Sequence, residues 1–413
     1  MLRCIDLFAG AGGTSTGLAL AAQDLGIGVS LAAVNHWDIA VQTHAQNHPW
    51  AEHHCASIDS LDPKRVARGK VDLLVASPEC THHSNARGGK PINDQSRAGA
   101  WCVVRWVEAL QPRVVLVENV REFQTWGPLD LRGRPMKSRT GETFEAWIAA
   151  LESIGYQTSV RVLNAADFGD ATTRRRLFVL AWRGRCAAPW PAASHADYGL
   201  TTDLFGSRDP WRTAREVIDW TLVGQSIFTR KKPLAAATMA RIVEGLRRFG
   251  GKTAEPFLAI LRGTGTVRSV DLPLPTITAG GEHLGLVVPF LLQQQSGGVA
   301  RPVTEPVPTI ATAGALSLVE PFLVRYQGTG GPESIRRPVS TITTRDRLGL
   351  VEPQALDVRF RMLQPHELAA AMSFPAGYRF AGNKTETIKQ IGNAVCVRTA
   401  RALCRAILEE VAA

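Results

Sequence analysis

Cys80 is the side chain best placed in this sequence to act as a nucleophile. It closes the stretch Val71-Asp72-Leu73-Leu74-Val75-Ala76-Ser77-Pro78-Glu79-Cys80. The apolar run from Leu73 to Ala76 suits a strand covered on both faces, and Pro78 fixes the backbone just past its end. Residues at the carboxyl ends of such strands line the crevice of an open α/β sheet, so the thiol is presented where a ligand would bind. A cysteine met alone is more often a buried structural residue. Here two further groups accompany it. Arg113-Val114-Val115-Leu116-Val117 reads as a second buried strand ending in Glu118-Asn119-Val120. A glutamate at the mouth of a parallel sheet is costly unless it is used or paired. The run Arg174-Arg175-Arg176 leads into the apolar strand Leu177 to Trp182. His82 and His83 invite a metal reading, but nothing nearby has the Cys/His spacing of a zinc site, so no metal is expected.

These groups need a frame that brings strand ends together. Leu2 to Leu7 is a short apolar strand, followed by Phe8-Ala9-Gly10-Ala11-Gly12-Gly13 and a helix from Thr14 to Ala22. Glycines there let the backbone turn tightly and approach a ligand, and the helix amino terminus offers unpaired N–H groups. There is no P-loop lysine, which disfavours a triphosphate. Gly28 to Val34 gives a second strand, closing with Asn35-His36-Trp37-Asp38 before a helix that runs to about His48. His36 and Asp38 are candidates for a ribose, and Trp37 is available to stack on a purine or to serve as ordinary core. Cys55-Ala56-Ser57-Ile58-Asp59 forms a third ligand-facing turn. After Cys80, the polar loop Thr81 to Lys90 is too long for a simple connection and has the character of a mobile lid. Arg97 to Leu110 and Phe144 to Ile154 are helical. This strand–helix rhythm up to about Trp182 predicts an α/β fold with a doubly wound, mostly parallel sheet.

Proline, tryptophan and small residues take over from Gly184 to Pro191, which marks a boundary. Lys231 to Arg248 reads as a basic helix opened by Pro233. An internal repeat follows. Pro256-Phe257-Leu258, Pro289-Phe290-Leu291 and Pro321-Phe322-Leu323 each open a unit, and Thr276-Ile277, Thr309-Ile310 and Thr341-Ile342 recur within them, a period of about 33 residues. The units are strand-forming, and the basic balance makes them a target-gripping module. From Asp357 the tail returns to helix, over Pro365 to Ser373 and Thr385 to Val411. The expected organisation is 1–183 as the catalytic and cofactor-binding domain, 184–355 as the target-recognition region with repeats at about 256–352, and 356–413 as helices returning to the first domain. With 413 residues, 45% hydrophobic content and net charge +10, a globular protein with a polyanionic partner is expected. No apolar run reaches the roughly 20 residues needed to span a bilayer, and no signal segment is visible. Seven scattered cysteines without a Cys-x-x-Cys pair fit a reducing compartment, so a cytoplasmic protein is expected.

Taken in order, these pieces resemble the DNA (cytosine-5) methyltransferase family over nearly the whole chain. Asp6-Leu7-Phe8-Ala9-Gly10-Ala11-Gly12-Gly13 is similar to its cofactor loop, Pro78-Glu79-Cys80 to its nucleophile turn, and Glu118-Asn119-Val120 to its cytosine-reading triplet. Arg174-x-Arg176 resembles its arginine motif, and Gln390-Ile391-Gly392-Asn393-Ala394-Val395 its C-terminal motif. The resemblance implies a Rossmann-like S-adenosyl-L-methionine-dependent fold with an inserted β-rich target-recognition domain. It implies that Cys80 adds to C6 of a flipped-out cytosine, that Glu118 acts at N3, and that Arg176, with Arg174 beside it, acts at O2. Phe8, Gly10, Gly12, His36, Trp37, Ile58, Asp59 and Asn393 would surround the cofactor, with Trp37 on the adenine. The implied partner is double-stranded DNA, bound by a monomer, with a companion restriction endonuclease if the chain serves a restriction–modification pair.

Several positions depart from the family pattern. Glu79 and Thr81 flank Cys80 where proline and glutamine are usual. His36 stands in place of a ribose-binding glutamate, Ser57 or Asp59 at the adenine-side aspartate, and Thr172 where glutamine precedes the arginines. Three other readings compete: an RNA cytosine methyltransferase, a sequence-specific DNA-binding protein that keeps the fold without turnover, and, from the glycine turn alone, a nicotinamide-dependent dehydrogenase. The last leaves Cys80, Glu118 and Arg176 unexplained.

Overall fold

The computed structural model describes residues 1–78, 99–130, 134–184, 188–197, 202–203, 206–235, 238–239, 242, 246, 255–262, 265–279, 283–292, 300–302, 322–325, 332–334, 348–351 and 356–412. Cys80 with its following loop, half of the basic helix, and the Thr-Ile pairs at 309–310 and 341–342 lie outside these residues. The chain divides into two compact units: Met1–Ile218, Asp271–Glu282 and Gln364–Ala413 form the first, and Asp219–Val270 with His283–Leu363 the second.

The first unit is built on seven strands: β1 (Leu2–Leu7), β2 (Val29–Asn35), β3 (Glu52–Cys55), β4 (Leu73–Ala76), β5 (Val114–Asn119), β6 (Gln157–Asn164) and β7 (Arg175–Trp182). Their order is β3-β2-β1-β4-β5-β7-β6. The first five strands pair in parallel, while β7 runs antiparallel to both neighbours. This is the doubly wound, mostly parallel sheet that the strand–helix rhythm predicts. The helices α1 (Gly13–Leu25), α2 (Asp38–Asn47), α3 (Pro63–Val66), α4 (Gly99–Leu110) and α5 (Glu142–Ser153) supply the crossovers.

Side-chain alternation with period two sorts each strand onto two cores. Leu74, Ala76, Val115, Val117, Leu177 and Val179 pack with Trp106 and Trp147 on the α4–α5 face. Leu73, Val75, Val114, Leu116, Phe178 and Leu180 pack with Leu18 of α1 and with Leu403 and Ile407 of the terminal helix Val397–Ala412 on the other. The terminal helix approaches α1 closely. A Cβ on Gly17 would lie 2.5 Å from Ala400 Cβ, so only glycine permits this spacing.

The second unit is antiparallel. Gln225–Ser226, Leu356–Met362, Leu284–Leu292, Phe257–Ile260 and Val267–Ser269 form one sheet in that order, with Ala300–Pro302 also on Leu284–Leu292. Pro332–Ser334, Phe322–Arg325 and Leu348–Val351 form another. The sequence repeat is a repeat of pairing: Phe257 faces Ser269, Phe290 faces Pro302 and Phe322 faces Ser334, each twelve positions on. Leu356–Met362 is a strand at the point where the tail was expected to turn helical. Its alternation Leu-Asp-Val-Arg-Phe-Arg-Met, with Val358 and Phe360 buried, is a strand pattern. Among the described residues no helix is long and apolar enough to cross a membrane.

Candidate active site

The carboxyl end of β5 carries Glu118 on the same parity as Val114 and Leu116, so its side chain faces the α1 side of the sheet. In the antiparallel β5–β7 pair Glu118 lies opposite Phe178, and Arg176 is the same-face neighbour one step along the diagonal. The register therefore brings them together: Arg176 Nε lies 3.2 Å from Glu118 Oε1. Burial raises the Glu118 carboxyl above its usual range, and Arg176, then Arg174, pull the other way. A cavity with room for about one water molecule lies beside it, lined by Thr14, Ser77, Phe178, Val395 and Leu403. Arg174 is 3% exposed, and its Nη1 donates to the Ile277 carbonyl at 3.0 Å. That carbonyl belongs to the first sequence repeat. Thr173 N donates to Leu274 O, and Thr172 Oγ1 to Pro275 O, so this stretch of the repeat packs within the first unit.

Asn119 is a functional candidate to which sequence reasoning gave no role of its own. Its Nδ2 donates to the Pro78 carbonyl at 3.2 Å, and its Oδ1 accepts from Val120 N. The Glu118-Asn119 pair thus faces two ways, the glutamate into the rim and the asparagine onto the chain two residues before Cys80. Cys80 itself lies outside the described residues.

On the neighbouring side, Phe8 has φ 61°, Gly10 φ 54° and Gly12 φ 86°. The glycines serve different ends. A Cβ on Gly12 would lie 2.7 Å from Tyr378 Oη, and one on Gly13 would lie 2.2 Å from the Val395 carbonyl oxygen. These two admit the protein's own residues. Among the described residues, only the Phe8 carbonyl, at 3.8 Å, lies near a Cβ on Gly10. Trp37 precedes α2, with its backbone N–H held by Asn35 Oδ1, and Lys389 Nζ sits 4.4 Å from its ring centroid. His36 is exposed beside it. Ile58 is buried, and its carbonyl accepts from Arg105 Nη2 at 2.6 Å and Trp106 Nε1 at 3.2 Å. Asp59 is exposed; its carboxyl takes a hydrogen bond from Ser57 Oγ that holds it below its ordinary range. Lys389 and Asn393 stand four apart on the helix Lys384–Asn393, whose last residue is exposed. The sequence that follows, through Val395, meets the glycine turn at Gly13. An adenosyl group fits these residues: Trp37 offers an aromatic face, and Gly10 leaves the backbone open.

Beneath the turn lies a polar network to which the sequence reading gave no role. Ser15 Oγ donates to Asp6 Oδ2 at 2.6 Å and lies 2.9 Å from His44 Nε2, while His44 Nδ1 is 2.8 Å from His53 Nε2. Thr16 Oγ1 donates to Gly12 O and is 3.1 Å from His48 Nε2. Burial pushes Asp6 up to about 7, against the lowering effect of Ser15. Burial first, then the neighbouring imidazoles, lowers His44 to about 2. The histidines are thereby kept neutral, and Asp6 holds its proton up to about pH 7. The i, i+4 spacing of His44 and His48 was its only sequence signal.

Comparison with known proteins adds a family. The model for C-5 cytosine-specific DNA methylases matches residues 2–203 and 324–409. The type II methyltransferase M.AgeI of Thalassovita gelatinovora is 31% identical over 204 residues, 48% of this chain and 43% of that protein. M.Sau3AI of Staphylococcus aureus is 25% identical over 191 residues, 44% of this chain and 43% of that one. DNA (cytosine-5)-methyltransferase 1 of Mus musculus is 28% identical over 195 residues, 44% of this chain and 11% of its own. Each match thus spans less than half of the relative's length. Among solved structures, Spodoptera frugiperda DNMT2 is similar with TM-score 0.56 at 14% identity, covering 99% of this chain and 100% of that one. EhMeth of Entamoeba histolytica gives 0.53 at 12%, covering 99% and 98%. These two likenesses concern the fold.

Proposed function

Because the chain belongs to the C-5 cytosine-specific DNA methylase family, we propose that it transfers a methyl group from S-adenosyl-L-methionine to C5 of a cytosine in double-stranded DNA. The observation that carries this reading is the buried Glu118 beside Arg176, on the strand end whose next residue holds the chain entering the Cys80 turn. C5 of cytosine is a weak nucleophile. The Cys80 thiolate forms a bond to C6, which pushes an electron pair toward C5. Glu118, whose proton affinity burial has raised, supplies a proton at N3, and Arg176 bears part of the negative charge at O2. Bound S-adenosyl-L-methionine supplies an electrophilic methyl group, with Trp37 against its adenine and Gly10 giving the backbone room. After transfer a base removes the C5 proton, that electron pair re-forms the C5–C6 double bond, the Cys80–C6 bond breaks with its pair returning to the thiolate, and the N3 proton goes back to Glu118. A base inside the duplex cannot reach such a rim, so the nucleotide is turned out of the helix. The basic helix and the three β repeats grip the target, and phosphate contacts make binding weaken as salt rises.

M.AgeI and M.Sau3AI bear the name type II methyltransferase. A companion endonuclease is the corresponding partner here. The test is nucleoside mass spectrometry on DNA from a methylation-deficient bacterial host expressing the full chain or Cys80→Ser. 5-Methylcytosine with the first and none with the second is expected. DNA left unmodified by the soluble, DNA-binding wild-type chain would turn the reading into that of a non-catalytic DNA reader.

A further inference from the structure

The terminal helix Val397–Ala412 is preceded by Cys396, which is not a residue that caps a helix well. Its first-turn N–H groups find their acceptor 229 residues away in sequence. Asp170 Oδ2 accepts from Thr399 N at 3.0 Å and Thr399 Oγ1 at 2.7 Å, and its Oδ1 faces Arg398 N at 3.3 Å. The lacing is reciprocal: Arg398 Nη1 donates to the Gly169 carbonyl at 3.2 Å. Gly169 has no room for a side chain, since a Cβ there would lie 2.7 Å from the His195 ring. Asp170 is fully buried, and the three groups it holds are donors, so the carboxylate is the chemical form that satisfies them together.

The two segments joined at this point lead to the two halves of the site. Onward from Asp170, Ala171 O accepts from Leu274 N, Arg174 reaches Ile277 O, and Arg176 meets Glu118. Backward from the helix start, Val397 N is held by Met372 O, and Val395 O occupies the space that Gly13 leaves at the glycine turn.

Resting on the methyltransferase reading above, we propose that Asp170 is a positioning residue that couples cofactor binding at the glycine turn to the grip of Arg174 and Arg176 on the target cytosine. Coupling of this kind is a ratio of affinities and reads the same from either ligand. The probe is S-adenosyl-L-homocysteine, titrated into the full chain with and without a saturating short duplex that carries the sequence mapped from the methylated host DNA. In the wild-type chain the duplex should tighten binding by about 5–150-fold. Asp170→Asn and Thr399→Val should each bring that factor toward one while leaving the separate affinities for probe and duplex within about twofold, the signature of a lost coupling in a thermodynamic cycle.

Thr399→Val keeps the backbone N–H and the fold, so it carries the test if Asp170→Asn is insoluble. An unchanged coupling factor in the soluble variants, with only a lower unfolding temperature, would make Asp170 a structural cap and overturn the proposal. So would a wild-type chain with no coupling. If the wild-type chain makes no 5-methylcytosine, the methyltransferase reading falls and this proposal with it. Methylation with unaltered coupling removes this proposal alone.

Discussion

Glu118 and Asp6 are carboxyls on one face of one sheet, both buried, and their surroundings differ in one respect. Glu118 has Arg176 at 3.2 Å, whereas Asp6 has a hydroxyl and, beyond it, imidazoles held neutral. Burial raises both. With guanidinium partners the gain and loss of a proton are both within reach, which suits a group that works on a charged ring. Without a cation the carboxyl keeps its proton up to about pH 7 and serves the turn above it. Burial alone therefore does not mark a catalytic acid; the company of a movable counter-charge does.

Substitution should separate the two sharply. Glu118→Gln keeps the shape and removes the proton, so 5-methylcytosine formation should fall by about 10²–10⁴-fold, the range of general acid–base catalysis, with little change in thermal unfolding. Comparable rates in single-turnover assays would place Glu118 with Asp6. Arg176→Gln removes the charge that lowers the Glu118 proton affinity. Activity should drop less than for Glu118→Gln, and its alkaline limb should move to higher pH. A limb that stays in place in the pH–rate profile would break the assigned pairing. Asp6→Asn should give the smallest effect, on stability. The native Asp6, at about 7 against an ordinary 3.8, holds a proton that the unfolded chain has lost between those values. Its stabilising contribution is full below about pH 4 and is lost as pH rises through about 7. The unfolding midpoint of Asp6→Asn should thus gain on the wild type from pH 5 to pH 8, by about 2–4 °C for each kcal/mol. A gap independent of pH would show that Asp6 titrates as an ordinary carboxyl.

The buried strands and the ligand-facing ends were legible because Leu73 to Ala76 and Val114 to Val117 are apolar at every position, as only a doubly covered strand requires. The meeting of Glu118 with Arg176 was not, since it depends on β7 entering antiparallel. The glycines were recognised, but Gly12 and Gly13 are glycine because Tyr378 and Val395 come close. Those neighbours lie more than three hundred residues downstream. Asp170 gave no signal in a stretch of mixed polarity, for the helix it completes begins 227 positions later at Val397. The Thr276-Ile277 pair looked like one of three equals. The carbonyls of Leu274, Pro275 and Ile277 instead accept from Thr173, Thr172 and Arg174, drawing that stretch into the first unit.

The strand Leu284–Leu292 pairs with the opposite edge of the strand Phe257–Ile260 and also opens the next hairpin at Phe290. Sharing a strand in this way makes neighbouring units depend on one another for their pairing. A duplication of about 33 residues would restore every partner, and a one-residue slip within a strand would move its side chains to the opposite face, yet the second and third units are spaced by 32 residues and keep the same twelve-residue pairing as the first.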